Sequence, residues 1–169
     1  MSGKTVLILG AGIGGLVAAS ELRRLLPDEH RVVLVEKNPM HAFPPSFLWL
    51  MTGDRQSQQI TRDLRALLRP GVELILAEAQ AIDLSNRRVR TSTQTLDYDY
   101  LVIALGAELA LEAIPGLAES AHTFYTFDGS IGLSTRRSFQ RGPASPPPPP
   151  FRRELTAGPP ISSSRSLLA

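Results

Sequence analysis

A glycine loop that directly follows a short apolar strand constrains this chain more than any other feature. The run Thr5-Val-Leu-Ile-Leu-Gly10-Ala-Gly12-Ile-Gly14-Gly15 passes from a strand pattern into a helical pattern that continues to about Leu26. Gly10 suits a tight turn, Gly12 lets the backbone approach a pyrophosphate, and Gly15 lets the helix pack closely on the strand. The unpaired amides and positive dipole end of that helix favour phosphate oxygens. The pattern therefore predicts a site for the phosphates of a dinucleotide.

An acidic residue at the end of the next strand strengthens this prediction. Glu36 ends the apolar run Arg31-Val-Val-Leu-Val-Glu36 and lies 21 residues after Gly15. A carboxylate at this position accepts hydrogen bonds from the ribose hydroxyls of an adenosine and repels a 2′-phosphate, which disfavours an NADP-type ligand. The alternative is a plain turn beside a solvated glutamate, but strand, loop, helix and acidic strand end all agree with the site.

Composition narrows the class of protein. The 169 residues allow one ordinary domain and include no cysteine, so the chain itself forms no disulfide and supplies no thiolate ligand or sulfur nucleophile. No apolar run approaches the about 18 residues of a membrane span, and the N-terminus lacks a signal-peptide layout. We therefore expect a cytoplasmic protein without a membrane span.

The net charge of +2 is unevenly distributed along the chain. Carboxylates outnumber cations up to Gly129, whereas six arginines face one glutamate from Ser130 onward. The basic cluster Arg87, Arg88 and Arg90 falls in a predicted hairpin, where a solvated turn explains it. The sequence thus argues against nucleic-acid binding, which needs cations on a folded face.

The elements after Glu36 follow from periodicity and turn residues. We expect an ordered proline-rich loop over residues 37–47, a helix from about Arg55 to Leu68 and a third parallel strand over Val72–Ala77. Residues 79–84 and 88–93 predict a small antiparallel meander around residues 85–87, and residues 96–107 predict another buried strand that ends in small residues.

Several side chains of the proline-rich loop leave two interpretations open. Phe43, Phe47 and Trp49 either line a flat cofactor or pack the loop onto the domain. His41 either faces the cofactor or makes a local hydrogen bond or solvent contact, and the latter is favoured because the sequence gives it no partner.

The order of these motifs resembles the start of the two-dinucleotide flavoproteins. The glycine loop, acidic strand end, proline-rich loop, meander and Tyr98-Asp-Tyr-Leu-Val-Ile-Ala-Leu-Gly-Ala107 look like the FAD-binding part of the pyridine nucleotide-disulfide oxidoreductase group. The likeness is strongest to sulfide:quinone oxidoreductases and NADH:quinone reductases. It runs from about Lys4 to about Asp128 and includes Ile114-Pro-Gly116 and His122-Thr-Phe-Tyr-Thr126. The implied fold is an α/β Rossmann-like domain with a parallel sheet and a small meander.

The resemblance also implies a set of cofactor contacts. Glycines of the first loop would hold the FAD pyrophosphate, Glu36 the adenosine ribose, the backbone of Ala79 the adenine, and residues 104–107 the pyrophosphate region. Leu105 departs from the family pattern, which has a threonine there, and so removes one hydroxyl hydrogen bond. The full predicted set of cofactor-binding residues is Gly10, Gly12, Gly14, Gly15, Glu36, Lys37, Ala79, Ala104, Gly106 and Ala107, with no metal ligand and no identified catalytic residue.

The composition changes near Ser130, so we divide the chain into an incomplete domain over residues 1–129 and a tail over 130–169. The tail contains Pro146 to Pro150, Ser162 to Ser164 and isolated arginines without apolar periodicity, which predicts disorder. GC-rich DNA encodes such residues in any frame, and 16 arginines against 2 lysines fit such DNA, so we interpret the tail as translated out of its original frame. A docking segment for a partner that binds polyproline is the alternative.

Four functions remain in competition. The first is an FAD-dependent oxidoreductase that passes electrons from a small-molecule donor through the flavin to a quinone-like acceptor. Full-length members would lie against the inner face of a membrane, and we expect this chain alone to be truncated, weakly stable, weak in FAD affinity and inactive. A plain NAD-binding Rossmann domain, an interaction module that uses the proline-rich tail, and an inactive fragment are the alternatives.

Overall fold

The computed structural model describes residues 3–140, with side chains described up to Arg136. Its strands are β1 Thr5–Leu9, β2 Arg31–Glu36, β3 Met40–Ala42, β4 Thr61–Asp63, β5 Val72–Leu76, β6 Ala79–Asp83, β7 Arg88–Thr91, β8 Thr95–Asp97 and β9 Tyr100–Ile103. Its helices are α1 Ile13–Leu25, α2 Phe47–Thr52, α3 Ser57–Ile60, α4 Leu64–Leu67, α5 Leu117–Ser120 and α6 Phe127–Gln140. The predicted proline run and serine run lie outside these residues.

A four-stranded parallel sheet with the order β5-β2-β1-β9 forms the centre of the fold. Leu7 of β1 lies opposite Val33 of β2 and Leu101 of β9, so β1 has a parallel partner on each side. Strands β6, β7 and β8 form a separate antiparallel meander. The predicted α/β fold, with a parallel sheet and a meander, is therefore confirmed.

The central strands are buried on both faces, which explains their continuous apolar sequence. Val6 and Ile8 of β1 pack with α1 residues such as Ala19, whereas Leu7 and Leu9 pack on the other face with Val89 of the meander. Helix α1 and the meander thus cover opposite faces of one sheet. This three-layer arrangement places the carboxyl ends of β1, β2, β5 and β9 along one edge.

The helix predicted from about Arg55 to Leu68 is wrong. The segment forms α3, then β4, which pairs antiparallel with β3, and then α4. Gln56 and Gln59 cap the start of α3 reciprocally, and the Asp63 side chain accepts from the amide of Arg65 at the start of α4. These local hydrogen bonds and the pairing of β3 with β4 replace a continuous helix, while Ile60 and Leu64 still point into the core.

Two other predicted segments are subdivided in the structure. The proline-rich loop contains β3 and a 3-10 turn over Pro44–Ser46 that leads directly into α2. Residues 96–107 do not form one buried strand, because Leu96 belongs to β8 of the meander and only Tyr100–Ile103 joins the parallel sheet. The turn at Tyr98 and Asp99 separates them, and Tyr100 and Ile103 are exposed.

Helix α6 spans Phe127–Gln140 and so crosses the boundary between residues 129 and 130 that the sequence predicts between domain and tail. Ser130 is fully buried and its hydroxyl donates to the carbonyls of Phe124 and Thr126. Phe127 packs against Phe47 with the ring centroids 6.0 Å apart, and Ile131 joins the same cluster. The sequence did not predict this packing, and the division into a domain and a tail stays a prediction. Among residues 3–140, no helix combines the length and the apolar composition of a membrane span.

Candidate functional site

The glycine loop makes the tight turn between β1 and α1. Gly10 has φ +93°, and a Cβ at this residue would lie 2.5 Å from the carbonyl oxygen of Ala104. Its amide donates to the carbonyl of Val35 over 2.8 Å. A Cβ at Gly15 would overlap the carbonyl oxygen of Gly10. Glycine at both positions therefore lets the loop touch β9 while α1 packs directly against the loop.

The amino end of α1 offers unpaired hydrogen-bond donors beside an open space. Gly12 precedes the first helical residue and provides no side-chain cap. Within the described residues, the amides of Gly12, Ile13 and Gly14 donate to no acceptor. A Cβ at Gly12 or at Gly14 would meet no atom within 4 Å. Several free donors at the positive end of a helix dipole, with room in front of them, form an arrangement that accepts an anion.

Glu36 lies at the end of β2, beside this loop, and its carboxylate is held by the backbone. One oxygen, Oε2, accepts from the amide of Ala11 over 2.7 Å, and the other, Oε1, accepts from the amide of Asn38 over 3.0 Å. A carboxylate has about four acceptor positions, so each oxygen retains capacity for another donor. The two amides fix the orientation of the carboxylate and leave it able to accept a hydroxyl.

A cleft of about 370 Å³, here called the strand-end cleft, runs along the carboxyl ends of the parallel strands. Five of the predicted cofactor contacts line it: Gly10, Glu36, Lys37, Ala79 and Ala107. The ammonium of Lys37 lies 3.6 Å from a carboxylate oxygen of Glu78, which also lines this cleft. Such clefts at the carboxyl ends of parallel strands are where ligands bind in open α/β sheets.

A second cleft of about 200 Å³, here called the glycine cleft, contains Gly12. Glu36 lines both clefts, so the two clefts share this residue. His41 lines the glycine cleft, and its Nδ1 lies 3.1 Å from the carbonyl oxygen of Ala11. This is the local hydrogen bond that one of the two sequence interpretations expected.

Four predicted contacts do not line either cleft. Gly15 and Ala104 lie beneath the loop. A Cβ at Gly15 would overlap the carbonyl oxygen of Gly10, and a Cβ at Gly10 would meet the carbonyl oxygen of Ala104. Gly14 lies in the first turn of α1, and Gly106 has φ +81° in the segment after β9. The intervening Leu105 lines the strand-end cleft and is 59% exposed.

Sequence reasoning missed two acidic residues of the strand-end cleft, Glu78 and Glu108. Glu36 is the last residue of β2, and Glu78 and Glu108 follow β5 and β9. Their common position near the carboxyl ends of parallel strands was the signal that could have found them. With Glu36 they place three carboxylates and one ammonium, that of Lys37, along the cleft. The excess of negative charge in this cleft disfavours binding of a phosphate group there, in addition to any phosphate at the α1 amides.

The aromatic residues of the proline-rich loop separate into two groups. Phe47 is buried and packs with Leu50 and Ile60, so it holds the loop onto the domain. Phe43 and Trp49 are each 45% exposed and line a third cleft, which contains neither Gly10 nor Gly12.

Comparison with known proteins identifies the family of this chain. Residues 4–135 match the family described as Pyridine nucleotide-disulphide oxidoreductase. The sulfide-quinone reductase of Aquifex aeolicus is 35% identical over 147 residues, which cover 86% of this chain and 33% of that protein. The Type II NADH:quinone oxidoreductase NdhA of Mycobacterium tuberculosis is 32% identical and is matched over 78% of this chain and 28% of its own length.

A solved structure has a similar fold over most of this chain. The sulfide:quinone oxidoreductase from Aquifex aeolicus superposes with a TM-score of 0.73 at 29% identity, over 80% of this chain and 32% of that one. The chain therefore spans about a third of the length of the curated relatives that it matches.

Proposed function

This chain belongs to the pyridine nucleotide-disulphide oxidoreductase family, and from that premise we propose that it forms the FAD-binding part of a flavin-dependent quinone oxidoreductase. Relatives named as sulfide-quinone reductase and as Type II NADH:quinone oxidoreductase support the quinone-like acceptor and a sulfide or nicotinamide donor. The donor, the acceptor and the overall reaction belong to this proposal.

The observation that carries the proposal is the set of unpaired amides at the amino end of α1. Gly12, Ile13 and Gly14 offer donors that no described residue accepts, and a Cβ at Gly12 or Gly14 would find open space. The carboxylate of Glu36 lies beside them, fixed by the amides of Ala11 and Asn38. Anion donors and a ribose acceptor side by side are what the pyrophosphate and adenosine of FAD require.

Different residues would bind different parts of FAD. The α1 amides would hold the pyrophosphate in the glycine cleft, and Glu36 would accept the hydroxyls of the adenosine ribose. The strand-end cleft, with Ala79 and Ala107 in its walls, would take the adenine. When bound, the flavin ring supplies the electron transfer, so the task of these residues is to bind and orient the cofactor.

The strand-end cleft also supports selectivity against a 2′-phosphate. Glu36, Glu78 and Glu108 outnumber Lys37 in its lining. The ion pair between Lys37 and Glu78 already uses the ammonium that a 2′-phosphate would need. A cofactor with a free adenosine 2′-hydroxyl, such as FAD or NAD, is the expected ligand.

A plain NAD-binding domain is a second candidate, because both cofactors share the ADP half that these clefts fit. Family membership favours FAD, since relatives of this kind are generally flavoproteins. An interaction module built on the proline-rich tail would use residues outside those that the structure describes.

The deciding experiment is an absorbance spectrum of the purified chain after incubation with FAD and desalting. We expect flavin bands between 300 and 550 nm to stay with the protein in less than stoichiometric amount, as the weak FAD affinity expected of this chain implies, and parallel incubation with NADH to leave no nicotinamide absorbance. Retention of NADH without flavin would favour the second candidate. Loss of both cofactors from a folded protein would reject the proposal.

Gly12→Val supplies the matched test of the residue assignment. The valine side chain would occupy the open space in front of the α1 amides, and we expect flavin retention to fall at least tenfold. Gly132→Val is the control, because a Cβ at this helical glycine also meets no atom within 4 Å and lies outside the proposed site. Equal flavin retention in both variants would reject the assigned cradle.

A further inference from the structure

A third cleft lies between α1, α2 and the antiparallel pair of β3 and β4. This aromatic cleft, named for Phe43 and Trp49 in its walls, has a volume of about 570 Å³, within the range of about 300–1,000 Å³ that is typical of small-molecule sites. It shares no lining residue with the strand-end cleft and only His41 with the glycine cleft. Ile13, whose amide belongs to the proposed phosphate site, also lines the aromatic cleft, so an experiment has to separate the two sites.

The walls of the aromatic cleft are apolar and exposed. Ile13 and Val17 line it from α1 and are 48% and 58% exposed. Phe43, Trp49 and Leu67 line the other sides and are 42–45% exposed. Exposed apolar side chains gathered in one concave surface mark binding sites more often than isolated ones do.

The acidic side chains of the described residues are absent from the lining of the aromatic cleft, whereas two arginines belong to it. These are Arg55 and Arg62. The guanidinium of Arg55 lies 5.0 Å from the ring centroid of Trp49, and Nη1 of Arg62 donates to the carbonyls of Gln58 and Thr61. Neither arginine has an ion-pair partner among the described residues. Their other N–H donors are left to meet an anion at the border of an apolar surface.

We propose that the aromatic cleft binds an amphipathic organic acid, with an elongated apolar body and one carboxylate head group. The apolar body lies against Val17 and Leu67, and the carboxylate takes hydrogen bonds from the guanidinium groups. Charge-assisted bonds from arginine to a carboxylate are strong and directional. A neutral chain would leave the guanidinium groups without an anion, and an anion without a chain would leave the apolar walls in water. This inference goes beyond the proposed cofactor site.

Trp49 provides a direct measurement, because it is the single tryptophan of the chain. The probe is decanoate below its micellar concentration, with 1-decanol as the neutral compound of the same length and acetate as the short anion. We expect decanoate to move the Trp49 emission to shorter wavelength in a saturable way. Decanol should bind at least tenfold more weakly, and acetate should have no effect. Equal affinity for decanoate and decanol, or no saturable change with decanoate, would overturn the proposal.

Two variants test the residues. Arg62→Gln should weaken decanoate binding about tenfold or more, since it removes a charged donor without touching Trp49. Arg65→Gln is the matched control, because Arg65 lies on α4 and does not line the aromatic cleft. Val17→Glu adds a carboxylate to the wall from an exposed helical position and should also weaken binding. Circular dichroism verifies that each variant is folded, and unchanged binding in both folded variants would contradict the assigned site.

The same titration separates this proposal from the proposed FAD site. In Gly12→Val we expect flavin retention to fall while the decanoate response of Trp49 stays within twofold of the unchanged protein. A decanoate response that disappears together with flavin retention in a folded Gly12→Val protein would mean that decanoate occupies the cofactor cleft, and would overturn the independent site.

Discussion

Strands β2 and β9 flank β1 on opposite sides and pair with it in the same parallel direction, but they differ in burial. Residues 32–35 of β2 are at most 1% exposed, whereas Tyr100 and Ile103 of β9 are 61% and 59% exposed. Both strands have apolar sequences. Among the described residues, β9 ends the sheet and no further strand covers its outer edge. An apolar sequence thus favours formation of a strand. Whether the side chains of that strand are buried, and so stabilise the fold, depends on the elements that pack against it.

A groove on the β9 side of α1 extends this difference. Leu22 of α1, Leu26 directly after this helix and residues 100–102 of β9 line an apolar cleft of about 510 Å³. On the β2 side of α1, Leu34 and Leu64 are fully buried, although the aromatic cleft opens between α1 and Leu67. In the cluster that α1 covers, Leu34 of β2 is fully buried whereas Val102 of β9 is only partly buried.

The largest expected effect comes from truncation of a buried β2 side chain. Leu34→Ala should lower the free energy of unfolding by about 3 kcal/mol, because it leaves a cavity between the sheet and α1. Ile103→Ala in β9 should cost below about 1 kcal/mol, because its side chain is already largely in water. Urea unfolding monitored by circular dichroism measures both. Equal losses would contradict the difference between the two strands.

The next effect concerns the turn that ties β1 to β9. Gly10→Ala should lower the free energy of unfolding by about 2 kcal/mol, because an alanine at φ +93° is strained and its Cβ meets the carbonyl of Ala104. Gly132→Ala, at an open helical position of α6, should be neutral or slightly stabilising. The measurement is again urea unfolding. A neutral Gly10→Ala would mean that the loop relaxes away from β9 without cost.

These comparisons explain how much of the molecule the sequence could predict. The glycine loop, Glu36 and the strands of the parallel sheet follow from patterns that span a few residues, so they were predictable. The break of the expected helix at Thr61 depends on pairing with Met40–Ala42, which lies about twenty residues earlier in the chain. Exposure of β9 and burial of Ser130 depend on packing between distant segments. Periodicity does not record either kind of contact.

The candidate site likewise contains residues that the sequence predicted and residues that it did not. Glu36 was predictable because its position relative to Gly15 follows a known strand–loop–helix spacing. Glu78 and Glu108 were missed because their place in the cleft appears only when the carboxyl ends of neighbouring strands are brought together. The pair of arginines in the aromatic cleft was missed for another reason: the segment that carries them was predicted as a continuous helix.

A smaller effect concerns the open edge of β9. An unpaired edge with exposed apolar side chains promotes association between copies of a chain, and a lysine in such a strand opposes it. Ile103→Lys should reduce self-association at high protein concentration and change the free energy of unfolding by below about 0.5 kcal/mol. Sedimentation velocity measures the first quantity and urea unfolding the second. Leu48→Lys, at an exposed site on α2 away from β9, is the control, and an equal reduction there would show that added charge alone is responsible.

The smallest effect lies at the junction where β1 begins and the chain enters β9. The Asp99 carboxylate accepts from the Thr5 amide over 2.8 Å and from the Lys4 ammonium over 3.0 Å, and these contacts lower the pKa of Asp99, the Thr5 amide most strongly. Because the folded protein lowers this pKa, the contribution to stability is present at pH 7 and disappears as the pH falls through the folded pKa. Asp99→Asn should therefore reduce the melting temperature slightly at pH 7, and the reduction should shrink toward pH 2. Lys4→Gln should retain most of this pH dependence, since the Thr5 amide remains. Loss of the whole pH dependence in Lys4→Gln would instead make the exposed ion pair, and not the backbone of β1, the main link between Asp99 and the central sheet.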